Sequence, residues 1–153
     1  MANMRVQLEV EDWVRREWML QMFGQQFVRE RVKLSCGGVC DFDAVSTDRK
    51  IVAAISTSGA VTASNKFAVG KMLKIRSDMY FLLLCEAERR IVVLTEKDMV
   101  DQCLKEVTGG RVPASIEFVH AQIPQDLDRR LKASRSVASQ EMQAKRGVLS
   151  TDQ

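Results

Sequence analysis

Two runs of strand-forming residues, Asp41-Phe42-Asp43-Ala44-Val45-Ser46 and Ile51-Val52-Ala53-Ala54-Ile55-Ser56, flank the polar tetrapeptide Thr47-Asp48-Arg49-Lys50. Val, Ile and Phe favour the half-buried surface of a sheet, and Asp favours a turn, so the stretch predicts a β-hairpin. A turn centred between Asp48 and Arg49 sets Asp43 opposite Ala54 and Asp41 opposite Ser56. Side chains two apart on a strand share a face, which predicts one patch of Asp41, Asp43, Ala54 and Ser56.

The chain has 153 residues, enough for one domain with a substantial core. With 46% hydrophobic and 28% charged residues, it has the balance of an ordinary soluble domain and is not a disordered tract. No apolar run approaches the roughly 18 residues of a membrane span. Met1 to Glu11 carry no signal-peptide core, so a cytoplasmic location without membrane contact is expected. Cys36, Cys40, Cys85 and Cys103 form neither a disulfide framework nor a zinc set. A metal clip at Cys36 and Cys40 stays open, although the one histidine, His120, is distant in sequence. Buried free thiols at Cys85 and Cys103, and a structural or surface role for His120, are the plainer expectations.

Periodicity predicts a long amphipathic helix from about Glu11 to Arg31, with Trp13, Leu20, Phe23 and Phe27 on one stripe. Val32 to Cys36 read as a short strand, and Gly37-Gly38 as the turn into the hairpin. A second helix is expected from about Lys66 to Asp78, where Gly70 costs about 1 kcal/mol against Ala and suggests close packing. The continuous apolar run Tyr80 to Cys85 predicts a central strand covered on both faces, and Arg90 to Leu94 the next strand. Thr95 is placed to cap a helix from Glu96 to about Val107 that Gly109-Gly110 end. Ser115 to Ile123 suit an edge strand. The expected division is one domain over residues 1–124, with a C-terminal helix and frayed tail over 125–153. Leu127, Leu131 and Ala138 are that helix's weak apolar contacts.

The order helix, strand, hairpin, helix, strand, strand, helix, with an Asp in the hairpin, resembles the restriction endonuclease-like superfamily, the PD-(D/E)XK nucleases. The resemblance covers roughly Glu11 to Val107 and implies an α/β (α+β) fold with an αβββαββ core, a mixed central sheet flanked by helices. It places Asp43 as the first acid of the motif. The second acid and the Lys fall on Ala54 and Ser56, which can supply no carboxylate and no ammonium. In the superfamily the acids hold a divalent ion and the Lys orients or activates water, so the resemblance implies magnesium at Asp43, with Asp41 as a second carboxylate. Glu17 or Glu30 would be the acid from the first helix, and Lys66, Lys71 or Lys74 would stand in for the Lys.

From Arg49 to Ser77 there is no acid, against six bases: Arg49, Lys50, Lys66, Lys71, Lys74 and Arg76. Such an excess attracts phosphate even when net charge is only +3. Acids elsewhere in the fold are the alternative destination for those charges. Two functions follow as expectations. One is a nuclease-like nucleic-acid binder, for DNA before RNA, with a degenerate or lost magnesium-dependent phosphodiesterase. The other is a non-catalytic interaction or scaffold module, a homo-oligomer or the partner of another protein.

Overall fold

The computed structural model describes residues 2–62 and 64–136. Its first helix, α1, runs Ala2–Trp13, widens to a π-helical turn over Val14–Trp18, and closes over Met19–Phe23. The wide turn has a packing cause. Val10, Val14 and Met19 are all fully buried, and Val14 to Met19 is a spacing of five, which i→i+5 bonding accommodates. The Met19 amide accordingly donates to the Val14 carbonyl.

Helix α1 stops at Gly24, whose φ of 70° takes the left-handed turn that favours glycine. Phe27–Lys33 therefore forms strand β1, where the stripe through Phe23 and Phe27 predicts helix. Phe27 remains buried, but as a strand residue against the same core. Strand β2 spans Val39–Ser46 and β3 spans Ile51–Ser56. The turn between them is locked by polar groups. Ser46 Oγ donates to Asp48 Oδ1 at 2.7 Å, that oxygen accepts the Lys50 amide at 3.0 Å, and Arg49 adopts φ 62°.

Helix α2 runs Val69–Leu84 and absorbs the segment from Tyr80 that predicts a strand. Its buried residues Met72, Ile75, Met79 and Leu82 step by three and four without a break. The helical period thus continues through the apolar run, with Tyr80 and Leu83 exposed and Phe81 and Leu84 packed partly against the core. Cys85 caps the end and is buried, with its amide on the Leu82 carbonyl. Gly70 does not mark close packing, because a Cβ there would meet nothing within 4 Å.

Strand β4 is Arg89–Leu94, α3 is Lys97–Thr108, and β5 is Ile116–His120. Thr95 does not cap α3. Glu96 holds that position, and Thr95 Oγ1 donates to the Ser56 carbonyl at 3.4 Å. Gly109 ends the helix as expected. A further helix, α4, covers 125–136; Ala138, residues 137–146 of the expected helix and the tail 147–153 lie outside the described residues.

The five strands lie in sequence order, β1-β2-β3-β4-β5, antiparallel from β1 to β3 and parallel from β3 to β5. The chain is thus a mixed α/β protein of order αβββαβαβα, with a helix where αβββαββ has a strand. One core packs Met72, Ile75, Met79, Leu82, Met99 and Cys103 of α2 and α3 on Val45, Val52, Ala54, Val92 and Leu94. The other packs α1 and α4 on Ala44, Ala53, Ile55, Ile91 and Val93. Leu131 of α4 is fully buried there, a stronger contact than its sequence setting suggests. No helix among the described residues is long and apolar enough to cross a membrane.

Candidate functional site

The hairpin register is the expected one, with Ala44 opposite Ala53 and Val45 opposite Val52. The ladder ends one pair short of Asp43 and Ala54. The cause lies on the other side of β2. Between the pairs Val28–Val45 and Glu30–Phe42 the register slips, so Asp43 and Ala44 together oppose the single residue Arg29. A bulge of this kind bends the strand and re-aims a side chain. Asp43 Oδ2 is turned into the seam between β2 and β3, where it accepts the Ile55 amide at 2.8 Å. The Asp43 carbonyl, freed from the ladder, accepts Arg15 Nε of α1 at 2.6 Å.

The bulge also separates the two aspartates. Cys40 and Phe42 pack with Val32 in the core under α2, while Asp41 between them is exposed and pairs with Arg31 at 3.2 Å. A shared Asp41–Asp43 face is therefore not formed: one extra residue in β2 flips the alternation. Ala54 is 4% exposed within the α2-side core, and Ser56 is half-buried at the end of β3.

Charged groups from both flanking helices converge on Asp43. Burial and the Asp43 charge push the Glu11 carboxyl of α1 above its usual range, against the opposing pull of Arg15, Arg29 and Lys74. Asp78 of α2 is likewise pushed up, by burial first, although Lys74 donates to it at 2.6 Å. Burial works against the Lys74 ammonium, but the Asp78 hydrogen bond and the charges of Asp78, Asp43 and Glu11 outweigh it and raise its pKa. The pair is lopsided, since the Lys74 side chain is 71% exposed and that of Asp78 only 17%. Three acids, Glu11, Asp43 and Asp78, thus gather with the cations Lys74, Arg15 and Arg29 around the bulge of β2.

Glu11 is the acid that the first helix supplies, where the sequence points to Glu17 or Glu30. Glu17 is exposed on the wide turn, and Glu30 belongs to β1 and pairs with Arg49. The signal that marks Glu11 is its i,i+4 spacing to Arg15 on the flank beside the buried Val10 and Val14.

The basic stretch disperses in three dimensions. Arg49 pairs with Glu30, Lys50 with Glu88 at 3.8 Å, Lys74 with Asp78, and Arg76 with the buried Glu106 at 3.3 Å. Arg49 and Lys50 sit at the turn before β3, whereas Lys66 and Lys71 lie beyond its far end. Lys66 and Lys71 are exposed and make no ion pair among the described residues. Lys71 and Lys74 share the flank of α2 that looks toward Asp43.

A magnesium ion needs several hard oxygens with free lone pairs at short, near-octahedral distances. Asp43 gives one oxygen to Ile55, Asp78 is held by Lys74, and Asp41 is held by Arg31. Among the described residues, no group of three or more His, Cys, Asp or Glu is placed to hold a metal ion. The residues present do not fit the metal that the nuclease resemblance implies. The same holds for Cys36, which is exposed, and Cys40, whose thiol is pushed up by burial and then by Asp41 and Asp78. His120 ends β5 with Nε2 3.3 Å from the Thr95 carbonyl. A cavity of about 430 Å³ lies away from Asp43, lined by Val32, Leu34, Val45 and Val52 with Lys33 and Arg49. No family model, curated protein or solved structure gives a match to this chain.

Proposed function

We propose that this chain is a nucleic-acid-binding protein of restriction endonuclease-like build, in which a charge-balanced set of side chains stands where a nuclease carries its metal. One observation carries the reading: the bulged Asp43 of β2 is charge-coupled both to an acid of α1, Glu11, and to a lysine of α2, Lys74. In such nucleases the strand acid, the first-helix acid and a lysine surround the scissile phosphate. Here Ala54 leaves the second-acid position without a ligand, and Lys74 supplies positive charge among the carboxylates that remain. A backbone phosphate approaching this cluster meets Lys71, Lys74 and Arg29. The function is recognition without cleavage.

The test is fluorescence polarisation with a labelled DNA duplex and a single-stranded RNA of equal length. Binding should weaken with salt by about one log unit of affinity per log unit of salt for each phosphate neutralised. Lys71→Glu with Lys74→Glu should lower affinity more than tenfold and flatten that slope by about two, measured well below a melting temperature that should itself fall, because Asp78, Asp43 and Glu11 lose their cation. Absence of binding at low salt, or indifference to the double change, sinks the proposal. Nicking of DNA in magnesium or manganese that disappears in Asp43→Ala would return the chain to the enzymes.

A further inference from the structure

Helix α2 has three faces. Met72, Ile75, Met79 and Leu82 enter the core, and Lys71, Lys74 and Asp78 form the flank beside Asp43. The opposite flank is an apolar stripe: Val69 is 58% exposed, Leu73 54%, Tyr80 58% and Leu83 40%. These positions follow i, i+4, i+11 and i+14, one continuous line along a helix. It extends for about 21 Å at 1.5 Å per residue. Phe67 and Val61, joined by a β-bridge just before the helix, continue it at the N-terminal end. Both are 47% exposed.

The spacing of the stripe is symmetric about the step between Arg76 and Ser77. Val69 and Leu83 stand about seven residues to either side, and Leu73 and Tyr80 about half that distance. A two-fold contact requires one patch to complement its own copy. An antiparallel pair of these helices does so without any further element: Leu73 meets Tyr80, and Val69 meets Leu83. Tyr80 is steadied by an edge-on contact with Phe81 at 5.3 Å, which makes it a rigid anchor of the sort that dominates interfaces. Arg76 is the one charge on the line. Its guanidinium is held by Glu106, whose side chain is 6% exposed, at 3.3 Å. The centre of a symmetric contact would thus carry two compensated pairs and no bare like charges.

We propose that this flank of α2 is the two-fold interface with a second copy of the chain. The four side chains offer on the order of 400 Å² of apolar surface, typical of a functional patch and about half of one side of a standard interface. A contact of this size is weak and reversible. The contact leaves the Asp43 flank open and does not depend on the nucleic-acid reading.

Sedimentation velocity from about 1 to 200 µM tests it, a range that reaches weak reversible association. The mass should rise toward twice that of the monomer in the native chain and in Lys71→Glu/Lys74→Glu. Leu73→Glu with Tyr80→Glu should stay monomeric with unchanged circular dichroism, since both sites are exposed. Register is read by disulfide trapping in a Cys36→Ser background. A mixture of Leu73→Cys and Tyr80→Cys chains should cross-link, and either alone should not. A native monomer at every concentration overturns the proposal and gives the stripe to a different protein. A dimer that survives the double glutamate change, or one that traps through Leu73→Cys alone, overturns it as well.

Discussion

Replacing Ala54 by Glu restores a second carboxylate beside Asp43 and measures how closely the seam of β2 and β3 approaches an ion-holding geometry. Ala54 is 4% exposed, in the core formed with Val92 and Leu94. Adding a methylene and a carboxylate to such a site overpacks it, at about 1–3 kcal/mol. The new carboxylate also enters a region that already holds Asp43, Glu11 and Asp78, so its ionisation adds about 1–2 kcal/mol more. The expected loss at neutral pH is about 3 kcal/mol, and Ala54→Gln isolates the overpacking part. A divalent ion held only by the folded variant returns stability by mass action, about 2.7 kcal/mol at a hundred times its dissociation constant. Urea unfolding followed by Trp13 and Trp18, both half-buried against the α1-side core, reads each quantity with and without manganese. The native chain should show no manganese effect, Ala54→Gln none, and Ala54→Glu a recovery of about 1–3 kcal/mol. Three results would refute the reasoning. These are a variant as stable as the native chain, equal stabilisation of the native chain by manganese, or a destabilised variant that manganese leaves unchanged.

Arg15→Met should cost about 1–3 kcal/mol in urea unfolding, because the Arg15 side chain is 13% exposed and its loss leaves the Asp43 carbonyl without a donor. It should also weaken amide-exchange protection at Ile55, whose hydrogen bond depends on the same bulge. The raised carboxyls give a pH signature. Burial lifts Glu11 and Asp78 above their unfolded values, so across that window the folded state holds more protons and stability falls as pH rises. Glu11→Gln with Asp78→Asn should remove this slope, leaving a variant that gains on the native chain as pH rises from about 4 to 7. A constant difference between the two denaturation midpoints across that range counts against the buried acid cluster. Lys74 runs the other way, since its raised pKa gives a contribution present at neutral pH and lost only as pH climbs through the folded value.

Much of the sheet is legible in the sequence because its determinants are local. The Asp48 turn fixes the pairing of Ala44 with Ala53, and the β-branched run of β4 and the Gly109 stop of α3 stand where residue chemistry puts them. The departures share a cause. Phe23 and Phe27 fit a helical stripe, yet Gly24 breaks it, and both rings reach the same core from different elements. Tyr80 to Cys85 contain no polar residue to expose the helical period, because their outer positions, Tyr80 and Leu83, are apolar too. At the site, Asp43 is readable from the hairpin alone. The bulge that removes Asp41 is a relation between β1 and β2 that neither strand announces, and Glu11 enters through a helix whose winding is set by its packing. The Lys74–Asp78 pair has the ordinary i,i+4 spacing, and only the fold brings it to Asp43.

The wide turn at Val14–Trp18 lets the helix carry one more residue between the buried Val14 and Met19 than regular winding would. Removing one of the exposed residues Arg16 or Glu17 would let the segment rewind to regular geometry, with Val14 and Met19 then at i,i+4 and still on one face. Val10 would keep its socket and Glu11 its approach to Asp43. The surplus residue is absorbed where it sits, so the charge cluster is insulated from a change in the length of the helix that feeds it.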